Sequence, residues 1–170
     1  MILCVGQSAS GKSLLLKRLQ NIEFQATNYL DIPSTVPTVG TNIGFIKTKS
    51  KTITIEEVGG SMAEIWHQYY SDSQTIVFVV DSTNMSTIGD SCVLLCQMLS
   101  DTNVINTKHI LVILNKCDKC CNQRKDEIMY LLMIDNLIQS LPNQQITVYE
   151  TSCLTGKGLQ LVYDWILRYN

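Results

Sequence analysis

Gly6-Gln7-Ser8-Ala9-Ser10-Gly11-Lys12-Ser13 lies between an apolar run, Met1 to Val5, and a stretch with Leu15, Leu19 and Ile22 at helical spacing. Glycine, four residues, then Gly-Lys-Ser is the spacing of a phosphate-binding loop that joins a strand to a helix. Glycines let the backbone wrap closely around a phosphate, so that successive N–H groups form an anion nest. The helix that starts at the loop's end adds its positive pole. Lys12 supplies a point charge for the outer phosphates, and the Ser13 hydroxyl can ligate Mg²⁺. A glycine- and serine-rich turn can match this spacing by chance, but the strand before it and the helix after it argue against chance.

Working outward, the pattern alternates. Ile32 to Thr41 holds Pro33 and Pro37 without a period and reads as a loop. Ile43 to Thr48 reads as an edge strand, Lys49-Ser50-Lys51 as a turn, and Thr52 to Ile55 as a strand with one buried face. Gly59-Gly60 ends that strand, and a flexible segment is expected through Tyr70. Thr75 to Val80 and His109 to Leu114 are continuous β-branched and aliphatic runs, the mark of strands buried on both faces. Helices are expected over Thr87 to Ser100 and, as one piece closed by Pro142, over Asp126 to Leu141. Ile146 to Glu150 is the last strand, and Leu159, Val162, Tyr163 and Ile166 mark the last helix. Six strands alternating with helices imply an α/β fold in three layers, a mostly parallel six-stranded sheet with helices on both faces. Without repeats or linkers, residues 1–170 read as a single domain.

The bulk composition narrows the function. The chain has 170 residues, 45% hydrophobic and 16% charged, with a formal charge of −2. This is the balance of an ordinary globule and not of a nucleic-acid-binding surface. The seven cysteines are an odd set with no secretory signal ahead of them, which reads as reduced thiols in a cytoplasmic protein. Cys117, Cys120 and Cys121 include a C-x-x-C, but no second pair follows at zinc-site spacing. Cys92 and Cys96 share a helical stripe with Ile88, Leu95 and Leu99 and are expected in the core. No apolar segment reaches the length of a membrane span, and no lipidation signal is present, so no direct membrane anchor is expected.

In a parallel sheet of this kind ligands bind beyond the carboxyl ends of the strands, so the polar residues there are the ones to read. After Leu114 comes Asn115-Lys116-Cys117-Asp118. This N-K-x-D pattern separates guanine from other bases. Guanine presents N1–H and an exocyclic amine side by side, which one carboxylate accepts together. Adenine offers a lone pair at the corresponding position, which the Asp118 carboxylate would repel. After the last strand, Thr151-Ser152-Cys153 could bring the Cys153 N–H to the guanine carbonyl, or could be a plain strand exit. A kinase or ATPase built on the same phosphate loop would need an arginine-rich lid, and the chain's 13 lysines and arginines form no obvious cluster.

Together these segments resemble the small GTPases, in particular the ADP-ribosylation factor branch. Val36-Pro37-Thr38-Val39-Gly40 resembles that branch's switch I. Val58-Gly59-Gly60, with Trp66 and Tyr69-Tyr70 downstream, resembles its switch II. Val77 to Ser82 and Asp164-Trp165 are similar to its fourth strand and last helix. The resemblance implies a P-loop NTPase fold that binds GTP or GDP with Mg²⁺. Ser8, Ala9, Ser10, Gly11, Lys12 and Ser13 would hold the phosphates. Ser13 and Thr38 would ligate the ion, with Glu57 reaching it through water, and the Gly60 amide would sense the terminal phosphate. Asn115, Lys116 and Asp118 would hold the base, the stem of Lys116 lying along the ring, with Ser152 and Cys153 beside it. Effector proteins would engage switch I and switch II, and an activating or exchange protein is a further implied partner.

Three departures from the family pattern bear on hydrolysis and membranes. Glu57 stands where the family has aspartate. Ser61 stands where the family has the glutamine that orients the attacking water, and its hydroxyl stops roughly 2.5 Å short of a glutamine amide. No catalytic residue is therefore assigned with Ser61 at that position, and slow intrinsic hydrolysis is expected; the alternative is a GTP-bound scaffold that essentially does not hydrolyse. Met1 starts the first strand directly, without the lipidated amphipathic helix of membrane-binding members, so recruitment to membranes would run through partners.

Overall fold

The computed structural model describes residues 1–22, 33–48, 51–105, 108–120, 124–141 and 145–170. The expectations for Ile32, Lys49, Ser50, Cys121 and Pro142 lie outside these residues. The six strands are β1 (Ile2–Val5), β2 (Thr41–Lys47), β3 (Thr52–Val58), β4 (Thr75–Asp81), β5 (His109–Asn115) and β6 (Gln145–Glu150). They form one sheet in the order β2-β3-β1-β4-β5-β6, with β2 antiparallel to β3 and every other pair parallel. Among the described residues the α-helices are α1 (Lys12–Gln20), α2 (Met85–Leu99), α3 (Arg124–Leu131), α4 (Ile134–Ser140) and α5 (Leu159–Tyr169). The mostly parallel three-layer sheet expected from the pattern is thus present.

Hydrophobicity and strand period explain the layering. Alternate residues of a strand face opposite sides, so a strand covered on both sides is apolar throughout. Ile76, Phe78 and Val80 of β4 pack with Ile88 and Leu95 of α2 and with Ile128 and Ile134 of α3 and α4. Val77 and Val79 pack on the other face with Leu15 and Leu19 of α1 and Val162 and Ile166 of α5. The edge strand β2 buries only Gly44 and Ile46. Cys92 and Cys96 correct the core expectation: both are half-buried, at the margin of the stripe that buries Ile88, Leu95 and Leu99.

Two further expectations are corrected. The single helix over Asp126 to Leu141 is two helices, broken at Met133, whose φ is 55°. Leu132 and Ile134 are both fully buried. On an unbroken helix they would point about 200° apart and could not share one core. A left-handed residue between them turns the chain so that both face inward. The second correction concerns Gly60 to Tyr70, expected as a flexible segment: Gly60–Tyr69 winds as 3₁₀ turns on either side of a kink at Met62 (φ −103°, ψ 22°). Its anchor is Trp66, only 1% exposed, edge-on to Phe78 with ring centroids 6.3 Å apart. Trp66→Ala is expected to cost about 3–5 kcal/mol, the range for emptying a buried aromatic site. Urea unfolding should show a lower midpoint, and an unchanged midpoint would remove Trp66 from the core.

Candidate functional site

The loop between β1 and α1 bends through Ala9 (φ 62°) and Gly11 (φ 96°), both left-handed. At Gly11 a side chain would also collide: a Cβ there would sit 2.2 Å from the Asn115 amide nitrogen. Lys12, 5% exposed, curls back along the loop and donates from Nζ to the carbonyls of Gly6 and Gln7, each at 2.9 Å. Burial pulls its pKa down, while the neighbouring Cys4 and Glu57 act in the opposite sense. The amine is therefore buried beside the loop's wall, and a polyanion in the loop would offer it a stronger acceptor than a carbonyl.

Beside Lys12 lies a cavity of about 600 Å³, bounded by Ser8, Lys12, Ser13, Thr38, Gly60 and Lys116. One wall is a knot of oxygens. The Ser13 hydroxyl donates to Glu57 Oε1 at 2.5 Å, the Thr38 hydroxyl donates to the same oxygen at 3.1 Å, and the two hydroxyls lie 3.1 Å apart. Asn42 Nδ2 donates to the other carboxylate oxygen, Glu57 Oε2, at 3.2 Å. Glu57 is 1% exposed. One buried carboxylate with two hydroxyls is an all-oxygen donor set, suited to a hard cation such as Mg²⁺ that keeps waters and phosphate oxygens as its other ligands. Among the described residues no cluster of three or more His, Cys, Asp or Glu forms a self-sufficient metal cage.

The two segments after Pro37 and after Val58 close over this cavity. Gly59 N–H donates to the Gly40 carbonyl at 2.9 Å, and Trp66 Nε1 donates to the Gly59 carbonyl at 3.2 Å. Gly60 is pressed so close to the phosphate loop that a Cβ there would lie 2.1 Å from Ser8 N. Ser61, exposed, also lines the cavity. Glu64, His67 and Gln68 are exposed beyond the kink at Met62.

At the far end, Asn115 and its neighbours tie three loops together. Asn115 Nδ2 donates to the Ser10 carbonyl at 2.8 Å, and its Oδ1 accepts from Thr151 Oγ1 at 3.1 Å and Cys153 Sγ at 3.3 Å. Burial pushes the Cys153 thiol up to about 12, outweighing the opposing effects of Asn115 and Arg18, so it remains a protonated donor. The buried Arg18 of α1 holds the Cys153 carbonyl through Nε at 2.9 Å. Lys116 adopts φ 65° and pairs with Asp81 at 2.6 Å. Burial raises the Asp81 pKa, but hydrogen bonds from Lys116 and Thr83 outweigh it and hold the carboxyl below its ordinary value. Asp118 is exposed on the short 3₁₀ turn Cys117–Lys119.

The residues singled out from the sequence thus gather at one end of the sheet, though not all in one posture. Ser8, Ala9, Gly11, Lys12, Ser13, Thr38, Glu57, Gly60, Ser61 and Lys116 line the cavity. Ser10, Asn115 and Cys153 are buried behind it as bracing, and Ser152 orders its own loop, its Oγ accepting from Thr155 N–H at 3.1 Å. Sequence reasoning missed Asn42 and Arg18. Neither lies in a motif; Asn42 is legible only once it is known to pair opposite Glu57, and Arg18 only once α1 packs beside the loop after β6.

Comparison with known proteins bears on the family and the fold. A model of the ADP-ribosylation factor family matches residues 1–170. The chain is 35% identical over 168 residues to human ADP-ribosylation factor-like protein 16, covering 98% of this chain and 84% of that protein. It is 32% identical to ADP-ribosylation factor-like protein 1 of Drosophila melanogaster, covering 97% and 86%. Among solved structures it is similar to the Arl6 BBS3 small GTPase from Trypanosoma brucei with bound nucleotide analogue GppNp, with TM-score 0.80, 18% identity and coverage of 98% and 94%. The structure of the mammalian SRP receptor is similar at TM-score 0.75 and 18% identity, covering 99% of each chain. At those identities the two structures speak for the fold alone.

Proposed function

The chain belongs to the ADP-ribosylation factor family of small GTPases, and from that premise we propose that it is a guanine-nucleotide switch with slow intrinsic hydrolysis. The observation that carries the proposal is the closure of Thr38 and Gly60 onto the phosphate loop, with Ser13, Thr38 and Glu57 converging on one point. Those two segments report a terminal phosphate only if something at the loop holds them, and their own contacts supply the means. Asn115 braces the phosphate loop against the base loop, while Asp118 reads guanine from its exposed turn. Lys12 neutralises the phosphates from its buried position. Ser13 and Thr38, with Glu57 behind them, would hold Mg²⁺, which when bound would supply positive charge at the outer phosphates. With those phosphates bound, Thr38 and Gly60 stay ordered and present a surface to effector proteins. Recruitment to membranes would run through such partners; no helix among the described residues is long and apolar enough to cross one.

Effector capture from a panel of candidate partners, comparing GTP-analogue and GDP forms, tests the switch: preference for the triphosphate form is expected, and equal affinity overturns it. Ser61 favours a second reading, a GTP-bound scaffold, because its hydroxyl is too short to orient a water as the family's glutamine does. Purified protein that still carries GTP after many hours would favour the scaffold, and GDP release within minutes would favour the switch. Ser61→Gln is expected to speed single-turnover GTP cleavage by about 100- to 1,000-fold, the scale of one positioned hydrogen-bonding group. An unchanged rate would show that serine is not the limiting feature.

A further inference from the structure

We propose that Asn42 is a positioning residue for the cation end of the nucleotide site, and that it is what makes the longer Glu57 side chain usable there. The proposal rests on the guanine-nucleotide reading. Glutamate carries one methylene more than the family's aspartate, and so has one more torsion to be ordered before its carboxylate points anywhere in particular. In this chain the two oxygens are divided between two tasks. Oε2 accepts from Asn42 Nδ2 at 3.2 Å, and Oε1 accepts from both Ser13, at 2.5 Å, and Thr38, at 3.1 Å. With one oxygen tethered, the other is aimed at the two hydroxyls.

The tether comes from the sheet. Asn42 of β2 pairs directly opposite Glu57 of β3 in an antiparallel ladder that runs from Thr41↔Val58 to Lys47↔Thr52. A slip of one residue between these strands would turn the Asn42 side chain to the other face and release Oε2. The same edge strand leads directly from Thr38 and Gly40, and the Gly40 carbonyl holds the Gly59 N–H. Asn42 therefore links the register of β2 on β3 to the aim of a carboxylate at the metal-binding hydroxyls. Its amide bonds Glu57, and Ser13 and Thr38 bond the other carboxylate oxygen, so Asn42 acts through Glu57. Because Asn42 is exposed, replacing it leaves the core intact.

The test measures release of a fluorescent guanosine diphosphate from the full chain as Mg²⁺ is titrated. Asn42→Ala and Asn42→Leu should each raise the Mg²⁺ concentration needed to retain nucleotide by about 10- to 100-fold, the worth of one hydrogen bond to a charged group. The leucine variant keeps the shape and loses the donor without adding charge, so an effect at least as large as alanine's separates the hydrogen bond from simple bulk. In the Glu57→Asp background the same changes at Asn42 should move the midpoint less than twofold, because the shorter carboxylate has less freedom to restrain. Equal shifts in both backgrounds, or no shift with Glu57 present, overturn the role of Asn42 while leaving the nucleotide reading intact. Failure of the unsubstituted chain to bind the diphosphate at any Mg²⁺ concentration overturns both. A second readout is independent of nucleotide: in the stripped protein, the Asn42 side-chain amide resonances should shift on Glu57→Gln, and unmoved resonances count against the tether.

Discussion

Asp118→Asn is expected to lower affinity for GDP and GTP by about a thousandfold while raising affinity for the corresponding xanthine nucleotides. A site built to pair with particular donors discriminates strongly when the pairing is broken, because the unmatched polar group is left without a partner. Guanine offers two adjacent donors, and a carboxylate offers two acceptors. An asparagine offers one acceptor and one donor, so a donor meets a donor at the exocyclic amine. Xanthine places a carbonyl there instead and restores the match. The substitution leaves the fold alone: Asp118 is exposed, and its turn is closed by backbone bonds, Lys119 N–H to the Lys116 carbonyl at 3.1 Å and Cys120 N–H to the Cys117 carbonyl at 3.2 Å. Calorimetry with GDP and XDP on the two proteins checks the expectation. Unchanged GDP affinity would mean that the base is read elsewhere.

Gly60→Ala should be the second large effect, and it acts at the other end of the cavity. The added methyl would lie 2.1 Å from Ser8 N, 2.5 Å from the Gln7 carbonyl carbon and 2.8 Å from Ser8 Cα, all backbone atoms of the phosphate loop. None of these is a side-chain tip that can swing aside. The closed arrangement must open by an ångström or more, and over-packing of that kind costs about 1–3 kcal/mol. On the proposed switch the triphosphate form depends on closure and the diphosphate form does not, so the cost would fall on one of them. Affinity for a non-hydrolysable GTP analogue should drop about 10- to 100-fold, with GDP affinity within about threefold of the unsubstituted chain. Equal losses for both nucleotides would indicate damage to the phosphate loop and not to the switch.

These two residues illustrate how differently parts of the site can be read. Asp118 is named by a four-residue pattern at a strand end, because the groups proposed to read guanine sit almost entirely within one turn. The phosphate loop is legible for the same reason: its strand, glycines, lysine and helix are contiguous, and local spacing carries the geometry. Gly60 is legible as a position, but the force of its glycine is not, since that comes from Ser8, far away in the chain. The roles of Asn115 divide in the same way. Its place in the motif points toward the base, whereas its hydrogen bonds go to Ser10, Thr151 and Cys153.

By itself, then, the amino-acid order determined the alternation of strands and helices, the parallel three-layer plan and the positions of the two loops proposed to address phosphate and base. Each of these is written in hydrophobic period or in local spacing, which are short-range properties. Only the tertiary structure decided that Gly60–Tyr69 is a wound, Trp66-anchored segment, that the chain breaks at Met133, and that Glu57 is shared between Asn42 and the two hydroxyls. Those outcomes depend on what packs against what. Leu132 and Ile134 compete for one core, Trp66 finds Phe78, and Asn42 meets Glu57 through strand register, all of them contacts set by the assembled layers and not by neighbours in the chain.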